Sequence, residues 1–143
     1  MFAINAMNAT QVRKEWSSVI DSVIREKPQF IKRTRDYMML SGTDAIENIL
    51  SVYSFNAEVF TEEDGSVTIT LDEIDLAEND VDERGAVLKM AGAILEYAED
   101  YYNDFAYWYR SGRRKHLPYV LKALMLNDIN KIGDLIKCRH GEI

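Results

Sequence analysis

Apolar residues in the first third of the chain follow two periods in turn. Phe2 and Ile4 alternate with small or polar neighbours, which predicts a short strand over residues 2–6. From Val12 the spacing changes. Trp16, Val19, Ile20, Val23 and Ile24 follow it at offsets of 4, 7, 8, 11 and 12, a helical stripe with Trp16 pointing inward. Asn8 can accept from the first free backbone N–H groups and Gln11 can reach back, so the helix begins at Ala9. Pro28 ends it, because proline disfavours helix in the residue before it. QFIKRTR and DYMMLS then read as two strands of a tight hairpin, with Arg33 and Arg35 on one strand face. Ser41 or Thr43 can cap a further helix bearing Ile46, Ile49 and Leu50.

The later pattern differs. Val59 precedes, and Val67, Ile69 and Leu71 follow, the pair Asp64-Gly65, two residues that both tolerate positive φ and so mark a hairpin turn. Asp80 and Glu83 form a capping-box-like pair. From there Val87, Met90, Ala91, Ile94, Leu95, Ala98, Tyr101, Tyr102, Phe105 and Trp108 recur at three- and four-residue steps, a helix of roughly 27 residues and about 40 Å. Ser111-Gly112 breaks it. A helix over Leu117 to Leu126 follows, with Pro118 in its first turn, and Asn127 or Asp128 caps another to about Lys137. The expected class is therefore α+β. A strand-helix-hairpin-helix domain spans 1–53, and a β-hairpin, a long helix and short C-terminal helices occupy a mostly helical region, 54–143. One helix cannot cover the first sheet and build a full core from about fifty residues, so a homodimer is expected.

Composition narrows the function. With 47% hydrophobic residues, the 143-residue chain can bury a core. No apolar run approaches the roughly 20 residues that span a bilayer. The start, MFAINAMNAT, is not a secretory signal, and the single Cys138 excludes an internal disulfide, so a cytoplasmic protein without membrane partner is expected. The net charge of −7 conceals blocks: +3 over residues 1–43, −15 over 44–104 and +5 over 105–143. The small basic run Arg113, Arg114, Lys115 and His116 is expected to pair with the acidic segment of the same chain. No Gly-rich phosphate loop, nucleophile elbow or HExxH occurs. Cys138 and His140 are too few for a zinc site. An enzyme is not expected, nor a metal or any other cofactor.

INAMNATQVRKEWSSVIDSVIREKPQFIKRTRDYMMLSG resembles the prevent-host-death (Phd/YefM) antitoxin domain: strand, helix with an early Arg, Pro, a hydrophobic strand ending near Thr-Arg, a second strand and a short helix. The resemblance covers roughly residues 2–53. The hairpin is shorter than is usual in that family and lacks its glycine. It implies an antitoxin of a type II toxin–antitoxin system, homodimeric, that binds palindromic operator DNA as an autorepressor and neutralises a toxin by direct contact. Arg13 and Arg33 fall at the family's DNA-contacting positions; Thr10 and Lys14 neighbour the first, Lys32 and Arg35 the second. Arg13 and Lys14 near a helix N-terminus suit phosphate, and guanidinium forks suit phosphates and guanine edges. The strand-helix stretch from Ser66 to Tyr102 is similar to that unit of HicB-like antitoxins.

The acidic block fits a basic toxin, because complementary charge speeds association. Tyrosines make good anchors, so Tyr97, Tyr101, Tyr107 and Tyr109 are candidate toxin contacts. The competing account, a helix seam packed on its own core, takes Tyr101, Phe105 and Trp108 first. The alternative function is a stand-alone DNA-binding transcriptional regulator, or a protein-interaction module, with no toxin partner.

Overall fold

The computed structural model describes residues 5–141, and the chain divides between Ile49 and Leu50 into two compact units. The first is built on a three-stranded sheet of order β1-β2-β3: β1 (Met7–Asn8), β2 (Gln29–Arg33) and β3 (Asp36–Leu40). β1 runs parallel to β2, which pairs antiparallel with β3. Residues 2–4 of the expected first strand lie outside the described residues. Asn8 caps the helix as expected, its side chain accepting from the Thr10 N–H at 2.8 Å.

The expected single helix is two: α1 (Ala9–Lys14) and α2 (Trp16–Arg25), separated at Glu15, where φ is −110° and ψ 32°. Val12, Val19 and Val23 join Ile31 in a small core, but Trp16 is 51% and Ile24 69% exposed. The inward Trp16 is therefore corrected. The hairpin is as tight as expected, with Arg33 opposite Asp36 and only Thr34 and Arg35 between the strands. Arg35 thus lies in the turn and shares no strand face with Arg33. Thr34 takes φ 56°, a left-handed conformation that costs a β-branched residue energy. The helix α3 (Thr43–Leu50) follows.

The second unit has a four-stranded sheet of order β6-β5-β4-β7: β4 (Phe55–Thr61), β5 (Val67–Leu71), β6 (Ala77–Asp80) and β7 (Ile136–His140). The β4–β5 hairpin turns through Gly65 at φ 86°; Asp64 instead accepts from the Ser66 N–H at 2.9 Å. Strand alternation sends Ala57, Val59, Ile69 and Leu71 into the core and Glu58, Phe60, Thr70 and Asp72 to the other face.

The core side is covered by α4 (Glu83–Asn103), α6 (Leu117–Leu126) and α7 (Ile129–Asp134). On α4, Ala86, Met90, Ile94, Ala98 and Tyr101 are fully buried at helical spacing. Small residues allow close approach: Gly133 of α7 lies with its would-be Cβ 3.7 Å from Val87 and 4.0 Å from Ala91. Burial of each large apolar side chain here contributes about 1.5–3 kcal/mol.

Three expectations are corrected. The N-cap of α4 is Asp82, accepting from the Gly85 N–H at 2.7 Å, because Asp80 ends β6 and turns its carboxylate to the Val81 N–H. The long helix stops at Asp104, where φ is −131° and ψ 54°, and α5 (Phe105–Arg110) resumes after it. The last expected helix ends early at Asp134; the residues beyond form β7, parallel to β4. β6 also lay outside the expected elements. α6 has the expected boundaries, with Asn127 at φ 45° ending it and Asp128 capping α7.

Candidate nucleic-acid and partner surfaces

In the first unit the six predicted DNA-contact residues are all exposed: Thr10, Arg13, Lys14, Lys32, Arg33 and Arg35. Among the described residues none of the five cations there makes an ion pair. Thr10, Arg13 and Lys14 stand at i, i+3 and i+4 of α1, and so on one face. Arg13 and Lys14 occupy the last turn of this six-residue helix, so its dipole favours the cations themselves and gives no N-terminal phosphate site. Arg33 shares its sheet face with Ile31. Lys32 projects from the opposite face, its ammonium 5.5 Å over the Tyr37 ring. The six residues therefore fall around both faces and the hairpin tip.

Beside them is an apolar groove of about 600 Å³, lined chiefly by Val12, Trp16, Ile31, Met38 and Leu40, with Arg13 at its margin. Trp16 and Met38 are about half exposed there, 51% and 50%. The groove lies open beside the small core of Val12, Val19, Val23 and Ile31.

The tyrosines of the second unit divide sharply. Tyr101 is fully buried, and its hydroxyl donates to the Arg113 carbonyl at 2.7 Å. Tyr97 is half-buried, with its hydroxyl 2.6 Å from His116 Nδ1 and its ring edge-on to Trp108. Full burial removes Tyr101 from the candidate contact residues, whereas Tyr97 keeps part of its ring at the surface. Burial pushes both phenols above the ordinary range and pushes His116 below its own. Tyr107 is 56% exposed, whereas Tyr109 is half-buried and stacks on Phe105 at 5.1 Å. Tyr102 and Phe105, which the sequence places on the apolar stripe of the long helix, are instead exposed at 63% and 39%. Phe105 keeps its ring 5.7 Å from that of Tyr101, so its other side is what faces outward.

The chain matches, over residues 1–138, the family model of PHD-like antitoxins of toxin–antitoxin systems, RelE/RelB. It belongs to this antitoxin family. A crystal structure of a protein from Syntrophomonas wolfei subsp. wolfei, described as the antitoxin part of a proposed toxin/antitoxin system, is similar to the antitoxin at 34% identity and TM-score 0.90. The alignment covers 96% of this chain and 100% of that one. No curated protein matches. The match runs through both units, so the antitoxin family's architecture includes the second unit's sheet and helices and is not confined to the first fifty residues. Among the described residues no helix is long and apolar enough to cross a membrane.

Proposed function

We propose that this antitoxin works as a Phd/YefM-type repressor-antitoxin in the cytoplasm. Its first unit pairs with a second copy through the groove at Trp16 and Met38. The doubled set of Arg13, Lys14, Lys32, Arg33 and Arg35, with Thr10, binds operator DNA. Its second unit binds a basic toxin, with the acidic surface steering approach and exposed aromatics such as Tyr107 supplying anchors. The observation that carries the reading is the set of five exposed, unpaired cations on the first unit, with Arg13 at the margin of the apolar groove, in a chain of net charge −7. An acidic protein that leaves such a set unneutralised presents it to an anionic partner.

The test is a gel shift on the protein's own promoter DNA. Arg13→Ala with Arg33→Ala abolishes the shift without altering thermal stability. Affinity of the unmodified protein falls with salt at a log–log slope of about −0.9 per phosphate neutralised. An unchanged shift from the double variant overturns the assignment.

A further inference from the structure

The run from Arg110 to Lys115 holds Arg110, Arg113, Arg114 and Lys115, and among the described residues none of them is paired with a carboxylate. The internal pairing expected for this run does not form. Two of the guanidiniums are instead braced by rings. Arg113 lies 5.0 Å over Trp108, and Arg114 lies 4.7 Å over Tyr109. A guanidinium resting over an aromatic ring loses less freedom on binding than one free in solvent.

Arg114 and Lys115 border an open cleft of about 490 Å³ that also contains Tyr53, Tyr119, Asp72 and Glu73. The two tyrosine rings meet edge-to-face at 5.3 Å. Neither carboxylate is neutralised by the cations of the cleft. Asp72 is held by Arg139 through contacts of 2.7 and 3.0 Å. Glu73 accepts from the Asn56 backbone N–H at 2.6 Å and, on its other oxygen, from the Asn56 side-chain amide at 3.5 Å, which leaves one lone pair on each oxygen.

We propose that this cleft is a nucleotide site, taking either an unstacked nucleotide of a single strand or a free mononucleotide. Arg114 and Lys115 bind the phosphate, the Tyr53–Tyr119 pair receives the face of the base, and Glu73 accepts from base amino or imino groups with its remaining lone pairs. Simple anion capture has no use for the rings or for the Glu73 acceptor. Cations, an aromatic face and an acceptor together match a nucleotide. A base inside a duplex cannot reach such a cleft, so the site is distinct from operator binding by the first unit.

The experiment uses the full chain and two probes: a short fluorescent single-stranded oligonucleotide of mixed sequence followed by anisotropy, and unlabelled GMP and AMP followed by calorimetry. Saturable oligonucleotide or mononucleotide binding at low salt is expected. It weakens about tenfold or more in Arg114→Ala/Lys115→Ala, and is unchanged in Arg13→Ala/Arg33→Ala. Lys115→Glu, at an exposed side chain, gives the same loss if the alanine pair lowers stability. Photocrosslinking from 4-thiouridine lands on peptides containing Tyr53 or Tyr119. A mononucleotide that binds as tightly as the oligonucleotide and displaces it identifies the free nucleotide as ligand; one that does not identifies the strand. Absence of saturable binding by both probes overturns the proposal, as does a loss confined to the Arg13/Arg33 variant, whatever the operator gel shift shows.

Discussion

Replacing Tyr101 by Phe removes one oxygen from the centre of the second unit. The ring stays, packed against Tyr97, Phe105 and Trp108 at centroid distances of 6.0, 5.7 and 6.3 Å. What is lost is the 2.7 Å hydrogen bond to the Arg113 carbonyl. That carbonyl also accepts from the His116 N–H at 3.1 Å, so it keeps one partner. The cost therefore sits at the lower end of the range for a severed buried hydrogen bond, about 1 kcal/mol. For a domain of 60–100 residues this lowers Tm by about 4–8 °C. Tyr101→Ala also empties the ring's volume and costs about 3–5 kcal/mol.

The two variants are compared by thermal and urea unfolding monitored by circular dichroism. A pH series adds an independent arm. Burial foremost raises the Tyr101 phenol, and Tyr109 adds to it against Arg114. The folded state therefore holds its proton more tightly than the unfolded state. The associated stability is complete below about pH 10 and is lost as pH climbs through the raised folded value. Tyr101→Phe has no such proton, so its alkaline loss is shallower. A Tyr101→Phe variant as damaged as Tyr101→Ala, or an unchanged alkaline slope, refutes the reasoning.

At the hairpin, Thr34→Gly relieves a β-branched residue at φ 56° and raises the unfolding midpoint, by about 0.5–1 kcal/mol net of glycine's added chain entropy. Trp16→Ala, at a side chain 51% exposed, leaves the fold intact and shifts sedimentation equilibrium toward monomer. A variant that unfolds shows instead that Trp16 is a core residue. His116 is lowered chiefly by burial, so the unfolded state binds its proton first and stability falls as pH drops below about 6.5. A denaturant midpoint followed against pH shows this slope, and His116→Phe flattens it.

Local signals in the sequence were the legible part of the fold. Asn8 announced a helix by its capping oxygen, Gly65 a hairpin by its permitted φ, and Pro118 the start of α6. What the sequence hid was set by tertiary context. IKCRH has little strand character of its own and becomes β7 because the edge of β4 offers it a ladder. Glu15 and Asp104 are ordinary helix residues by propensity, and both sit at breaks. An aromatic close to each break, Trp16 in one case and Phe105 in the other, is exposed. The basic residues could be named from the sequence, but their division between opposite faces of a five-residue strand depended on where the turn fell.

The parallel pairing of β7 with β4 makes the second unit a late folder. Arg139 grips Glu58 across a separation of 81 residues. Until the ribosome has released the chain past His140, β4 presents a bare edge with its ladder groups unpaired, and the sheet cannot close. The strands and helices of the first unit all end by Leu50 and can form while synthesis continues, ahead of the pairing with a second copy proposed above. On that timetable the chain acquires its N-terminal surface before its C-terminal one. A transcript truncated just short of β7 would leave a folded first unit attached to an aggregation-prone second.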